Sequence, residues 1–190
     1  MANEGQAIAL DANNHDKMMD YLRTTRFQAR DICIYLLTIR AGMRIGSVAG
    51  LMLDDVINSD GSLKEVVVLR RSITKGAKTI TAYLSHPGLK EALDNYLKER
   101  GKKRVGNLFA SQKGSAFSPN SLSQLMLKHY NNAGIERASS HSGRRTAITN
   151  WLKNGGDIVA ASKLAGHSSV LTTQRYVHHN QEELMSLVSQ

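Results

Sequence analysis

With 190 residues, 41% of them hydrophobic and 22% charged, the chain is long enough to bury one proper core and has the composition of an ordinary globular protein. A surplus of 25 Lys and Arg over 16 Asp and Glu gives a net charge of +9, which favours a polyanion, DNA or RNA first. A membrane partner is disfavoured, because the sequence has no long basic amphipathic helix and no apolar run of spanning length.

The single cysteine, Cys33, excludes an internal disulfide and lies in an apolar run where a small core residue is expected. The polar start from Met1 to Gln6 lacks the pattern of a signal peptide. The expected location is therefore the cytoplasm, in association with the nucleoid.

In chain order, Asp11 is placed to cap a helix through about Leu22, and Phe27 to Arg40 reads as a second, strongly apolar helix. Gly42 breaks it, and Arg44 to Leu51 follows as a short helix with Ile45, Val48 and Leu51 on one side. Asn58 to Gly61 is a turn cluster. Glu65 to Arg71 and Thr79 to Leu84 are β-rich and flank Lys75-Gly76-Ala77-Lys78, which predicts a small antiparallel sheet.

Pro87 opens a helix with the stripe Leu89, Leu93, Tyr96 and Leu97, and Gly101 is its predicted C-cap. The basic run that closes it, with Lys102, Lys103 and Arg104, reads either as a solvated helix end or as a contact to a nucleic-acid backbone. Ser118-Pro119 opens the next helix, which ends near Gly134. Helices over Ser142 to Asn154 and Asp157 to Ala165 are divided by Gly155-Gly156. Thr172 to Val177 reads as a short helix, and Gln181 to Val188 as a last amphipathic one. The expected fold is α+β, mainly α: one helical domain over 1–190 with a small antiparallel β-sheet.

A phosphodiester can be broken if charge on its non-bridging oxygens is held by metal ions or by fixed guanidinium groups. No metal site is convincing. Asp54-Asp55 reads as the polar end of a short helix, and His178-His179 has no Cys or carboxylate at ligand spacing. Arginine suits the alternative, because its planar fork donates two hydrogen bonds to adjacent phosphate oxygens. Arg44 and Arg144 are the candidates, and His141 stands three residues before Arg144, on the same face of a helical turn. Taken singly, the arginines are more often surface or ion-pair groups, Tyr176 a half-buried aromatic, Lys75 a hairpin-tip charge and His167 a helix-start residue.

Their order along the chain resembles the catalytic domain of the tyrosine recombinases, the phage-integrase family, from about residue 10 to residue 179. Thr38-Ile39-Arg40-Ala41-Gly42-Met43-Arg44-Ile45 resembles the first arginine box, and Arg71-Ser72-Ile73-Thr74-Lys75-Gly76-Ala77-Lys78 the lysine-bearing hairpin. His141-Ser142-Gly143-Arg144-Arg145 resembles the second box, and Gly166-His167 and Thr172 to His178 the closing ones. The resemblance implies that Tyr176 attacks phosphorus to leave a 3′-phosphotyrosyl DNA and a free 5′-hydroxyl. It implies that Arg44 and Arg144 hold the non-bridging oxygens, with His167 hydrogen-bonded to one. Lys75 would protonate the leaving 5′-oxygen, and His141 would assist proton transfer at Tyr176. Arg71, Lys78, Arg145, Lys102, Lys103 and Arg104 are the expected DNA-backbone contacts. No cofactor, metal or ATP is implied.

Two features depart from the family pattern. The residue three after the first arginine is usually acidic and helps hold it; here it is Ser47, so Ser47→Glu is expected to raise cleavage. Only about ten residues precede the match, so no separate N-terminal core-binding domain is expected. The chain is then an isolated catalytic domain or a short recombinase such as the fimbrial-switch invertases. The expected partner is double-stranded DNA, with a tetramer on paired sites and a monomer or weak oligomer when free. Accessory DNA-bending proteins or recombinases could assist, and Leu184, Leu187 and Val188 could dock the tail in cis or in trans. The competing function is a DNA-binding regulator on a recombinase scaffold, with little or no catalysis.

Overall fold

The computed structural model describes residues 7–101, 106–112, 114–177, 185 and 188. The first helix, α1 (Ala12–Arg23), is capped as expected: the Asp11 carboxylate accepts the Asn14 N–H at 2.7 Å. The second, α2 (Gln28–Ile39), is apolar on nearly every side, and a helix of that kind belongs at the centre of a core. Cys33, Ile34, Tyr35 and Leu37 are fully buried there, and the helix packs against α1, α5 (Pro87–Arg100) and α7 (Ser142–Lys153).

The chain leaves α2 through Gly42, whose φ of 62° lies in the left-handed region. A Cβ at Gly42 would also collide with the Trp151 indole of α7. Gly42→Ala combines that backbone strain with overpacking, so it should cost about 2–4 kcal/mol, read as a lower urea midpoint. A loss under about 0.5 kcal/mol would mean that the turn is not fixed by Trp151.

Arg44 stands just outside α3 (Ile45–Ala49), in extended conformation at its N-cap, rather than inside a helix reaching Leu51. The helix stops at Gly50, where a Cβ would strike the Ile73 side chain. After α4 (Leu53–Val56), strands β1 (Val66–Leu69) and β2 (Ile80–Tyr83) pair antiparallel, with Leu69 opposite Ile80 and Val66 opposite Tyr83. Alternation sends Val67, Leu69, Ile80 and Ala82 inward and leaves Val66, Val68 and Tyr83 exposed. A 3-10 turn at Arg71–Ile73 and the loop to Thr79 join the strands.

Helix α6 (Pro119–Asn132) begins at a reciprocal Ser118–Ser121 cap and packs on α1 and α3. Asp157 caps α8 (Ile158–Ala165) by accepting the Val159 and Ala160 N–H groups, both at 2.8 Å. Ser169 caps α9 (Val170–Gln174), so this helix starts earlier than its sequence predicts and ends before Tyr176. Lys102, Lys103, Arg104, His178, His179, Leu184 and Leu187 lie outside the described residues. Met185 and Val188 are helical and exposed. Among the described residues no helix is long and apolar enough to cross a membrane.

Candidate active site

Arg144 is the buried centre of the site, 8% exposed at the third position of α7. One guanidinium nitrogen donates to the Gly42 carbonyl and another to the Ala165 carbonyl, each at 2.5 Å. These acceptors come from the turn after α2 and the open C-terminal end of α8, where helix carbonyls lack partners of their own. A single side chain thus ties three segments together. No described carboxylate pairs with it.

The Arg144 guanidinium is pushed down to about 10, by burial first and then by repulsion from Arg44, with Tyr176 opposing. It remains a cation at neutral pH. Arg44 is half-buried and also lowered, by burial, with Tyr176 opposing. Among the described residues none accepts a hydrogen bond from it. Two partly desolvated guanidinium groups close enough to repel, with no described acid beside them, suit an anion with several acceptor oxygens.

His167 follows Gly166, which closes α8 in the left-handed region at φ 58° and leaves no room for a Cβ beside Ile80. The His167 Nδ1 lies 2.8 Å from Thr173 Oγ1, and its Nε2 lies 3.3 Å from Arg144. Arginine only donates, so Nε2 accepts and the ring proton sits on Nδ1, donated to Thr173. Burial, then Arg144 and Arg44, push His167 down to about 4, so the ring is neutral at pH 7.

In the unfolded chain a histidine titrates near 6.5. Between about 6.5 and 4 the unfolded chain therefore holds a proton that the folded protein refuses, and stability falls as pH drops through that window. Urea midpoints measured from pH 8 to pH 4 should decline across it, and His167→Gln should flatten part of the decline. An unchanged pH profile in that variant would place the titration elsewhere.

Tyr176 lies in the turn after α9, where its N–H donates to the Thr173 carbonyl at 2.9 Å. Its ring stacks on His167, with centroids 5.9 Å apart and planes at 22°, and the Arg145 guanidinium lies 5.4 Å from the ring centre. Arg44, Arg144, His167 and Tyr176 therefore converge, with Arg145 at their edge.

The other predicted residues are dispersed around them. Lys75 is exposed on the β1–β2 connection, and Arg71 is exposed in the 3-10 turn before it. Lys78 donates to Ser168 Oγ at 2.7 Å, tying this connection to the loop that follows His167. His141 is exposed at the start of α7, and no contact joins it to Tyr176 among the described residues. It does not share the burial of Arg144, because the chain is only entering the helix there. Ser47 is buried, and its hydroxyl donates to the Ile73 carbonyl at 2.7 Å. Its proton is committed to the hairpin, and among the described residues its oxygen accepts no hydrogen bond from Arg44.

Sequence reasoning missed Thr173, which holds His167 with its hydroxyl and Tyr176 with its carbonyl. Its position three residues before Tyr176 was the available signal. The Gly42 and Ala165 carbonyls left none, since any residue supplies one. Among the described residues no three His, Cys, Asp or Glu side chains gather as a metal site.

The model of the Phage integrase family matches residues 9–183. The chain is 33% identical over 169 residues to the tyrosine recombinase XerC of Caldanaerobacter subterraneus subsp. tengcongensis, covering 86% of this chain and 45% of that protein. It is 28% identical over 179 residues to the tyrosine recombinase XerD of Corynebacterium glutamicum, covering 94% of this chain and 56% of that one. The chain thus spans about half the length of the curated relatives it matches. Among solved structures, XerA recombinase superposes with a TM-score of 0.79 at 24% identity, over 100% of this chain and 65% of that one. XerH recombinase bound to palindromic difH substrate superposes with a TM-score of 0.74 at 23% identity, over 98% and 54% of the two chains.

Proposed function

The chain belongs to the phage integrase family, and from that membership and the geometry of its site we propose that it is a site-specific DNA recombinase. One observation carries the reading: Tyr176 lies against a neutral His167 that touches Arg144, beside two guanidinium groups with no described acid partner. Arg44 and Arg144 hold the non-bridging oxygens of a phosphodiester. The Tyr176 hydroxyl attacks phosphorus, giving up its proton with His141 as the acceptor, and the bond to the 5′-oxygen breaks. Lys75 gives that oxygen a proton, leaving a 5′-hydroxyl and a 3′-phosphotyrosyl linkage. Attack by the 5′-hydroxyl of another strand gives its proton to Lys75 and re-forms the phosphodiester, while the phosphotyrosyl bond breaks and the tyrosine oxygen takes its proton back from His141. Phosphoester energy is kept throughout, so neither metal nor ATP is required.

His167 presents the Nε2 lone pair towards Arg144. Hydrogen-bonding a phosphate oxygen therefore requires the proton to move to Nε2, or a second proton to arrive with the anion.

Double-stranded DNA is the proposed partner, supported by the +9 net charge and by solved structures of similar fold. These include XerH bound to difH substrate and a lambda integrase dimer bound to a COC′ core site. Arg71, Lys78 and Arg145 are the proposed backbone contacts among the described residues, and Lys102, Lys103 and Arg104 extend the set. Assembly as a tetramer on paired sites, from a monomer or weak oligomer, completes the proposal.

The test starts by selecting a bound site from random duplex DNA and nicking it so that a short fragment escapes after cleavage. A covalent protein–DNA band on a denaturing gel is the expected result. Specific binding with no covalent species would replace the recombinase with a DNA-binding regulator.

A further inference from the structure

Lys75 is an exposed side chain on a loop, so its location depends on what holds the backbone on either side of it. The fixings are few and specific. On the strand side, the Arg70 guanidinium donates to the Gly50 carbonyl at 2.6 Å and to the Asp55 carboxylate at 3.1 Å. Within the loop, the Thr74 hydroxyl reaches the Lys78 carbonyl at 2.5 Å and the Arg71 carbonyl at 3.1 Å, while Ala77 takes a left-handed φ of 50°. Between them stands Ser47, 3% exposed, with Oγ 2.7 Å from the carbonyl of Ile73 across 26 residues of sequence. The Ile73 side chain closes the same junction by packing onto Gly50, where a Cβ would not fit.

Ser47 lies three residues after Arg44, and Ile73 lies two before Lys75. The bond therefore runs from the element that sets Arg44 to the element that sets Lys75, by a short path. A carbonyl needs a donor, which a serine hydroxyl is and a carboxylate is not. This accounts physically for a serine at a position where an acid would be repelled by the Ile73 oxygen.

We propose that Ser47 is a positioning residue that fixes the Lys75 hairpin to the helix following Arg44 and so sets where the leaving-group proton is delivered. The proposal rests on the reading of Lys75 as general acid. A displaced general acid harms only reactions that need a proton on the leaving group. DNA with a bridging sulfur at the 5′ position leaves as a thiolate, whose conjugate acid has a pKa far below that of an alcohol, and it needs no such proton.

The experiment measures single-turnover cleavage of ordinary and 5′-sulfur nicked DNA by the full chain, at a temperature where each variant is folded by circular dichroism. Ser47→Ala should slow cleavage of ordinary DNA by about tenfold, a fraction of what a general acid supplies, and leave the sulfur substrate within about twofold of wild type. Ser47→Glu should behave in the same way. Gly50→Ala, which pushes Ile73 from the other side, should reproduce the pattern if Ser47→Ala does not fold.

Equal slowing on both substrates would reduce Ser47 to a packing residue and overturn the proposal, and so would no slowing on either. Faster cleavage by Ser47→Glu would assign the position to Arg44 instead and overturn it as well. Lys75→Ala separates the two levels: if sulfur fails to rescue that variant, the general-acid reading itself falls, whatever Ser47 does.

Discussion

Tyr176→Phe should abolish the covalent protein–DNA species while leaving folding and DNA binding within about 0.5 kcal/mol of wild type. The expectation is this sharp because of how the ring is held. Stacking on His167 and contact with the Arg145 guanidinium involve the aromatic face, which phenylalanine retains. The backbone N–H bond to Thr173 is indifferent to the side chain. Only the nucleophilic oxygen is removed, and removal of a nucleophile typically costs at least about 10^4-fold in the chemical step. Trapping on nicked DNA reads the covalent species, and a mobility shift on the same DNA reads binding. A covalent band persisting in Tyr176→Phe would assign the attack to another residue and end the proposed mechanism.

The same ring shows what the sequence makes legible and what it does not. Helices such as α1 and α6 follow from local chemistry, because Asp11 and Ser118 cap them wherever the chain goes next. The β1–β2 hairpin follows from residue type, because Val66, Val67 and Val68 and then Ile80, Thr81 and Tyr83 are strand formers on either side of a glycine-bearing loop, whereas which of the valines faces inward is not written in the sequence. Arg44, Arg144, His167 and Tyr176 could be named from their motifs and order. Their mutual geometry could not, because it depends on long-range acceptors that carry no side-chain signature. Arg144 finds its place through the carbonyls of Gly42 and Ala165, 102 and 21 residues away.

Ser47 shows the converse. Compared with a motif, it reads as an acid missing beside Arg44. Its burial and its bond to Ile73 give it a different task, which only the folded packing of α3 against the hairpin reveals. The helix boundary at Tyr176 also depended on Ser169, whose hydroxyl takes the Leu171 N–H and starts α9 early enough to free the tyrosine in a turn.

Arg144 and Arg44 should respond differently to the same substitution, although both are proposed to grip the phosphate. Lysine keeps the charge but loses the planar fork, so it cannot reach two carbonyls and an anion together. In Arg144→Lys at least one of the Gly42 and Ala165 carbonyls is left without its donor in a buried setting, and each such loss costs about 1–3 kcal/mol. The variant should therefore be less stable by roughly 1–3 kcal/mol if one bond is lost and roughly 2–6 kcal/mol if both are. It should also cleave about 10^2- to 10^3-fold more slowly, as expected for a missing oxyanion donor.

Arg44 has no described carbonyl to abandon. Arg44→Lys should keep its stability within about 0.5 kcal/mol while losing cleavage on a similar scale. Urea denaturation separates the two variants, and single-turnover cleavage on nicked DNA unites them. Equal destabilisation in both would mean that the Gly42 and Ala165 bonds do not carry the difference. Near-normal cleavage by Arg144→Lys would mean that charge alone, without the fork, suffices at the phosphate. The arrangement points the other way: the bonds that bury Arg144 also aim it, so the fold and the proposed catalytic grip are set by the same guanidinium.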